Sequence, residues 1–164
     1  IENIFQNIAI HDIDSIEHRL WFGTRAGVFI YSSIQSQLMQ MSDVGRKNFP
    51  EQLRNVVSLE QYGSSIYVVS DIGIIEFDIE EKEWNLIFTS GIYSNKDVYS
   101  MALNDKFIFL GVEDGLIKIN KKTGLVRDYV FSFIGRVNEI ILDGKEIWLG
   151  TSNGLIKFLW KRHL

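Results

Sequence analysis

Cysteine is absent from this chain. Disulfides, thiolate zinc sites and a cysteine nucleophile are thereby excluded. The absence fits a reducing compartment, and equally an oxidising one that does without disulfides. Proline occurs once, at Pro50, where it could open a helix; residues 49–57 are read instead as a loop leading into a strand. Dense positive charge is also missing. The closest groupings are Lys118, Lys121 and Lys122, and Lys161 with Arg162, in a chain of net charge −4 and pI about 5.4. A stripe tracking nucleic-acid phosphates is disfavoured, so no nucleic-acid partner is expected. No apolar stretch approaches the roughly 18 residues that span a bilayer. The chain opens on Ile1 rather than Met. It is expected to be processed or cut from a longer protein, and to meet a membrane only through flanking regions.

Apolar and aromatic residues are plentiful, at 46% and 13% of 164 residues, enough for a sizeable core. They recur in a phrase. Leu20-Trp21-Phe22-Gly23-Thr24-Arg25-Ala26-Gly27-Val28 returns as Ile66-Tyr67-Val68-Val69-Ser70-Asp71-Ile72-Gly73-Ile74. It returns again as Ile108-Phe109-Leu110-Gly111-Val112-Glu113-Asp114-Gly115-Leu116 and as Ile147-Trp148-Leu149-Gly150-Thr151-Ser152-Asn153-Gly154-Leu155. The last glycines stand 46, 42 and 39 residues apart. A repeat of about 40 residues rich in strand formers implies a tandem array of small sheets.

Each unit reads as four strands. In the third unit these are residues 98–103, 107–112, 116–120 and 125–131, separated by turn residues. Val56 to Val69, Val98 to Gly111 and Val137 to Gly150 are each 13 residues apart, so the units share one internal layout. The first unit is expected to begin near Phe5 and to carry a longer first turn over residues 11–19. Outer strands are expected at residues 37–42, 84–89 and 125–131. No segment has sustained helical periodicity, so the class is all-β. A repeated four-stranded antiparallel meander is the blade of a β-propeller; a β-solenoid has shorter coils without hairpins. The blades are expected at about residues 5–42, 53–90, 98–131 and 137–164. The last has no room for its outer strand. Completion is expected from further blades, as part of a larger propeller, or from a second copy of the chain.

The phrases around Trp21 and Trp148, followed by Phe29-Ile30-Tyr31 and Ile156-Lys157-Phe158, resemble the two-component regulator propeller repeat. Its pattern is apolar, Trp, apolar, Gly-Thr, two variable residues, Gly-Leu and an apolar strand. Unit three has Phe109 for Trp and Val112 for Thr; unit two has Val69 for the first Gly and Ser70 for Thr. The resemblance implies the periplasmic sensor half of a hybrid two-component system. In that family two seven-bladed propellers usually precede an immunoglobulin-like segment, a membrane span and a histidine kinase, and the ligands are often oligosaccharides released from glycans. This chain would then be a non-catalytic, ligand-sensing segment of an extracytoplasmic sensor. The alternative is a propeller scaffold for protein–protein contact or self-association. An enzyme of the lyase or hydrolase kind ranks third.

Within the phrase, Trp21, Tyr67, Phe109 and Trp148 lie in the most apolar strand and are expected to pack between neighbouring blades rather than stack on sugars. Gly23, Gly111 and Gly150 allow close backbone approach, and Gly27, Gly73, Gly115 and Gly154 serve the following turn. His11, Asp12 and Asp14 form the densest ligand-like cluster, read as a solvated turn; Glu80, Glu81 and Glu83 read as a solvated edge. No catalytic constellation, cofactor or metal site is expected. Recognition is expected on the loops entering each innermost strand, residues 43–52, 91–97 and 132–136, and on the second-to-third turns holding Arg25, Asp71, Glu113 and Asn153. The candidate ligand contacts are Arg25, Arg46, Asn48, Phe49, Tyr93, Asn95 and Arg136. Planar donors suit sugar hydroxyls and rings suit apolar sugar faces, although a protein partner would use the same residues. On this basis Gly154→Val should damage folding and Tyr93→Ala should spare it, as read by thermal melting.

Overall fold

The computed structural model describes residues 5, 7–44, 47–93 and 96–160. Among the described residues fifteen strands form four antiparallel sheets, the blades of a β-propeller. The first two sheets belong to one compact unit, Ile1–Gly91, and the last two to a second, Ile92–Leu164. In the first unit, β1 (Ile10–Ile16), β2 (Arg19–Thr24), β3 (Gly27–Ser32) and β4 (Gln37–Gln40) pair in order. A single helical turn, α1 (Met41–Val44), follows. The second sheet is β5 (Ser58–Tyr62), β6 (Ser65–Ser70), β7 (Gly73–Asp78) and β8 (Glu83–Thr89), ending in a 3-10 turn at Ser90–Tyr93. In the second unit, β9 (Ser100–Leu103), β10 (Phe107–Val112), β11 (Gly115–Asn120) and β12 (Val126–Val130) make a third meander. The fourth has three strands among the described residues, β13 (Val137–Asp143), β14 (Glu146–Thr151) and β15 (Gly154–Phe158).

The first blade departs from expectation. Its first strand is β1, not a segment near Phe5, and residues 11–16 are strand rather than turn. The turn is confined to Glu17 and His18, at φ 49° and 63°, the positive-φ pair of a tight hairpin. The polar residues of β1 are tied down. The Asp12 carboxylate accepts from the Ser58 hydroxyl (3.0 Å) and the Leu59 amide (2.8 Å). His11 donates from Nδ1 to the Val56 carbonyl at 2.9 Å. The cluster therefore staples the first sheet to the second, whose own first strand is β5.

The core of each unit lies between its two sheets. In the first, Ile16, Trp21, Val28 and Ile30 share a cluster with Leu59, Ile66, Val68, Ile75, Phe77 and Trp84. The Trp21 and Phe77 rings are 5.9 Å apart, and Phe77 lies 4.8 Å from Trp84. In the second, Ala102, Phe109 and Leu116 share a cluster with Ile140, Ile147, Leu149 and Trp160. Phe158 takes Tyr129 at 5.1 Å and Phe131 at 4.9 Å. The aromatic position of the phrase is thus a packing position in three blades: Trp21, Tyr67 and Phe109 are 5%, 8% and 0% exposed. In the fourth blade Trp148 is only half-buried.

The polar letters of the phrase have separate jobs. The Thr24 hydroxyl, fully buried, donates to the Gly27 carbonyl (2.8 Å) and accepts from the Ala26 amide (3.0 Å). Thr151 repeats both bonds to Gly154 and Asn153, at 2.9 and 3.2 Å. The turn is thereby closed by a side chain, with its glycine held at a φ of +114° (Gly27) or +134° (Gly154). Gly111 answers a different demand. A Cβ there would strike the Ser100 hydroxyl and sit 2.7 Å from the Val137 carbonyl oxygen. Those two groups hydrogen-bond each other (2.9 Å), joining the third sheet to the fourth.

Two substitutions separate these roles. Gly111→Ala is expected to lower stability by about 2 kcal/mol, because the Cβ forces the sheets of the second unit apart. Thr24→Val, which puts at this position the residue that Val112 provides in unit three, is expected to lower it by about 1 kcal/mol through the unpaired turn groups. Denaturant melts of both variants read the difference.

Candidate functional site

The loops entering the inner strands lie against the second-to-third turns. In the first unit the Asn55 amide donates to the Arg25 carbonyl (3.0 Å) and the Val56 amide to the Thr24 carbonyl (2.9 Å). In the second unit the bonds run the other way, from the turn amides of Asp114 and Ser152 to the loop carbonyls of Gly135 (3.0 Å) and Arg136 (2.9 Å). Each unit therefore presents one face on which the entering loops sit against the second-to-third turns, whose two central residues also vary from blade to blade.

On the first unit that face holds a shallow cleft of about 460 Å³ lined by Gln40, Ser42, Phe49, Glu51 and Arg54. The Phe49 ring is half-buried and packs edge-on against Trp84 at 5.5 Å. Asn48 is engaged elsewhere: its amide donates to Glu83 Oε1 (2.6 Å), while Lys47 Nζ sits 2.8 Å from Glu83 Oε2. That carboxylate raises the Lys47 pKa by hydrogen bond and charge. Glu83 is consequently half-buried and paired rather than part of a solvated edge. Glu80 and Glu81 use their amides to close the turn on Asp78 Oδ1, both at 2.9 Å. Arg25 is exposed at the tip of its turn.

The second unit has the more pointed arrangement. Phe133 is 88% exposed, yet its backbone is held at φ +71°. An aromatic residue pays roughly 1–2 kcal/mol for that conformation. The surrounding bonds impose it. Asn153 Nδ2 donates to the Phe133 carbonyl (2.8 Å), and the Gly135 amide donates to Asp114 Oδ1 (2.7 Å). The Arg136 amide donates to the Ser152 hydroxyl (2.8 Å), and the Phe131 amide to the Asp114 carbonyl (2.8 Å). The Arg136 guanidinium lies 4.4 Å above the centre of the Tyr99 ring, which orients its planar donors. One fixed loop thus offers an open ring and, three residues on, a stacked guanidinium.

Of the expected contacts, Arg136 stands in this arrangement and Phe49 lines the cleft of the first unit. Arg25 and Asn48 are exposed, and Asn48 is bonded to Glu83. Arg46 and Asn95 lie outside the described residues. Tyr93 is buried at 8% exposure in the 3-10 turn. Its truncation is therefore expected to cost about 3 kcal/mol of stability instead of sparing the fold. Phe133 and Tyr99 were not singled out by sequence. The available signal was a lone aromatic in a short loop followed by Gly135, and the sequence does not show that its φ is positive. Among the described residues no three His, Asp or Glu side chains converge as a metal site.

No protein-family model matches the sequence, and no curated protein does. Solved structures do. The chain is similar to the extracellular domain assigned to the hybrid two component system BT3049 of B. thetaiotaomicron, with TM-score 0.71 and 20% identity. The match covers 96% of this chain and 23% of that one. The extracellular domain assigned to the hybrid two component system BT4673 of the same organism matches at TM-score 0.69 and 19% identity, over 94% of this chain and 21% of that one. The computationally designed Ika4 protein matches at TM-score 0.66 and 15% identity, over 96% and 95%. These likenesses establish the propeller fold, and the chain spans less than a quarter of the two extracellular domains.

If the loop bonds impose the strained backbone, Phe133→Gly should raise stability or leave it unchanged, by up to about 1 kcal/mol, since no buried area is lost. Thermal melting of that variant is the check; a clear destabilisation contradicts the assignment.

Proposed function

We propose that the chain is a ligand-sensing propeller segment of an extracytoplasmic, periplasmic two-component sensor, acting by recognition and not by catalysis. Its ligand is a glycan-derived oligosaccharide held on the loop face. The observation that carries this is Phe133: an exposed aromatic ring kept in a left-handed backbone conformation by four neighbouring bonds. Conformational strain of this kind is retained where a function uses it. The ring offers a flat apolar face, and Arg136 on its Tyr99 platform offers planar donors. A sugar presents the complementary pair, an apolar ring face and hydroxyl acceptors. The repeat phrase resembles a sensor family, and two of the similar structures are extracellular domains assigned to two-component systems; both support the setting of the proposal.

The test is calorimetric titration of the chain with a panel of oligosaccharides. At least one is expected to bind, with affinity reduced tenfold or more by Phe133→Ala and by Arg136→Ala at unchanged melting temperature. Absence of binding across the panel, or binding indifferent to both substitutions, overturns the site. Release of cleaved product during titration overturns the non-catalytic reading.

A further inference from the structure

Asn153 stands where the loop that carries Phe133 meets the turn beneath it. Its Nδ2 donates to the Phe133 carbonyl at 2.8 Å, and its backbone amide donates to the Thr151 hydroxyl at 3.2 Å. The first of these bonds helps to hold Phe133 at φ +71°. The next residue is Gly154, at φ +134°. No other asparagine of the chain precedes a glycine. At the same place in the turn the other blades carry Ala26, Ile72 and Asp114, so the fourth blade alone puts an amide there. Those three are half-buried rather than sealed, so water reaches this position even between neighbouring blades.

An asparagine followed by glycine has a chemistry of its own. Glycine has no Cβ to crowd the approach of its nitrogen to the preceding side chain. Once base loosens the Gly154 amide proton, that nitrogen can attack Asn153 Cγ and close a five-membered ring. The N–Cγ bond forms, the Cγ–Nδ2 bond breaks, and ammonia leaves with the proton. Water then adds to one of the two ring carbonyls and opens the ring. The product is aspartate or isoaspartate in place of asparagine, and water is the only co-reactant.

We infer that Asn153-Gly154 is a site of spontaneous covalent modification, and that its conversion releases the Phe133 loop irreversibly. An ionised carboxylate offers acceptors only. Placed where Nδ2 now donates, it sets one acceptor against another, the Phe133 carbonyl oxygen. The left-handed backbone of Phe133 then loses a bond that imposes it and keeps those of the Gly135 and Arg136 amides to Asp114 and Ser152. Isoaspartate does more, because it adds a methylene to the main chain inside the turn. The Thr151 hydroxyl spans that point, donating to the Gly154 carbonyl and accepting from the Asn153 amide. The pair is thus a one-way timer set against the loop that displays the ring. It stands whether or not that loop binds a sugar.

The experiment holds the folded chain in mildly alkaline buffer, beside a denatured sample, and follows every asparagine by peptide mapping. In the folded chain Asn153 is expected to convert ahead of all the others. Asn153→Gln, whose longer side chain disfavours the ring, is expected to remove that product. The converted protein is separated by its extra negative charge and compared with the Asn153→Asp variant by hydrogen exchange. In both, the Gly135 and Arg136 amides are expected to exchange about fivefold faster than in unmodified chain, as the loss of one hydrogen bond implies. The amides of β10 and β11 should not change, which separates loop release from general unfolding. Conversion of Asn153 in the denatured sample only overturns the modification site. Conversion that leaves Gly135 and Arg136 exchanging as before, or that speeds β10 and β11 equally, overturns the release.

Discussion

The seating of one sheet's apolar face on the next sheet is the constraint on which the structure depends. A four-stranded meander of six-residue strands cannot bury both of its faces alone. Each repeat therefore carries a knob face, with an aromatic residue and an aliphatic partner, and a receiving face of aliphatic residues and one further ring. Trp21 with Val28 in the first blade and Phe109 with Leu116 in the third are such knobs. Leu59 with Ile66 and Ile140 with Ile147 are the receivers. The rest of the phrase serves this contact. Gly111 lets the backbones approach, and the Thr24 and Thr151 hydroxyls close the turns that return the chain.

The same constraint divides the molecule into fixed and variable parts. Strands and the glycine that ends each second-to-third turn must repeat, so they carry little that distinguishes one blade from another. The entering loops have no such duty beyond a pair of backbone bonds to the turn beneath. The loop holding Phe133 and Arg136 displays a ring to solvent from a left-handed backbone position, at a conformational cost. In the interior the opposite holds. The Tyr67 phenol pKa is raised well above its usual range by burial and by its hydrogen bond to Glu76 (2.9 Å). The folded state thus disfavours the phenolate, and the stability tied to this group is lost as pH rises above the ordinary tyrosine range.

Much of the fold was legible because it is written in local periodicity. Strand β10 spans the six residues that the apolar run 107–112 marks, and β11 differs only by including Gly115. Three strands are described in the fourth sheet, against four in each of the others. What was illegible depends on partners distant in sequence. Residues 11–16 look like a polar turn until Ser58 and Leu59 are found to occupy the Asp12 carboxylate. Glu83 looks solvated until Lys47 and Asn48 reach it from 36 and 35 residues away. Tyr93 looks like a displayed loop ring and is buried. Phe133, whose exposure rests on the sign of a backbone angle, left no periodic trace.

The most direct measurement is hydroxyl-radical footprinting of single aromatic side chains along a denaturant titration. Seating of knob on receiver predicts that Trp21, Phe77 and Phe109 are unreactive in the folded chain and that Trp21 and Phe77 gain reactivity in one step, while Phe133 on the loop face is reactive throughout. A reactive Trp21 or Phe109 in the folded chain, or exposure of Trp21 in a separate step from Phe77, would contradict the account.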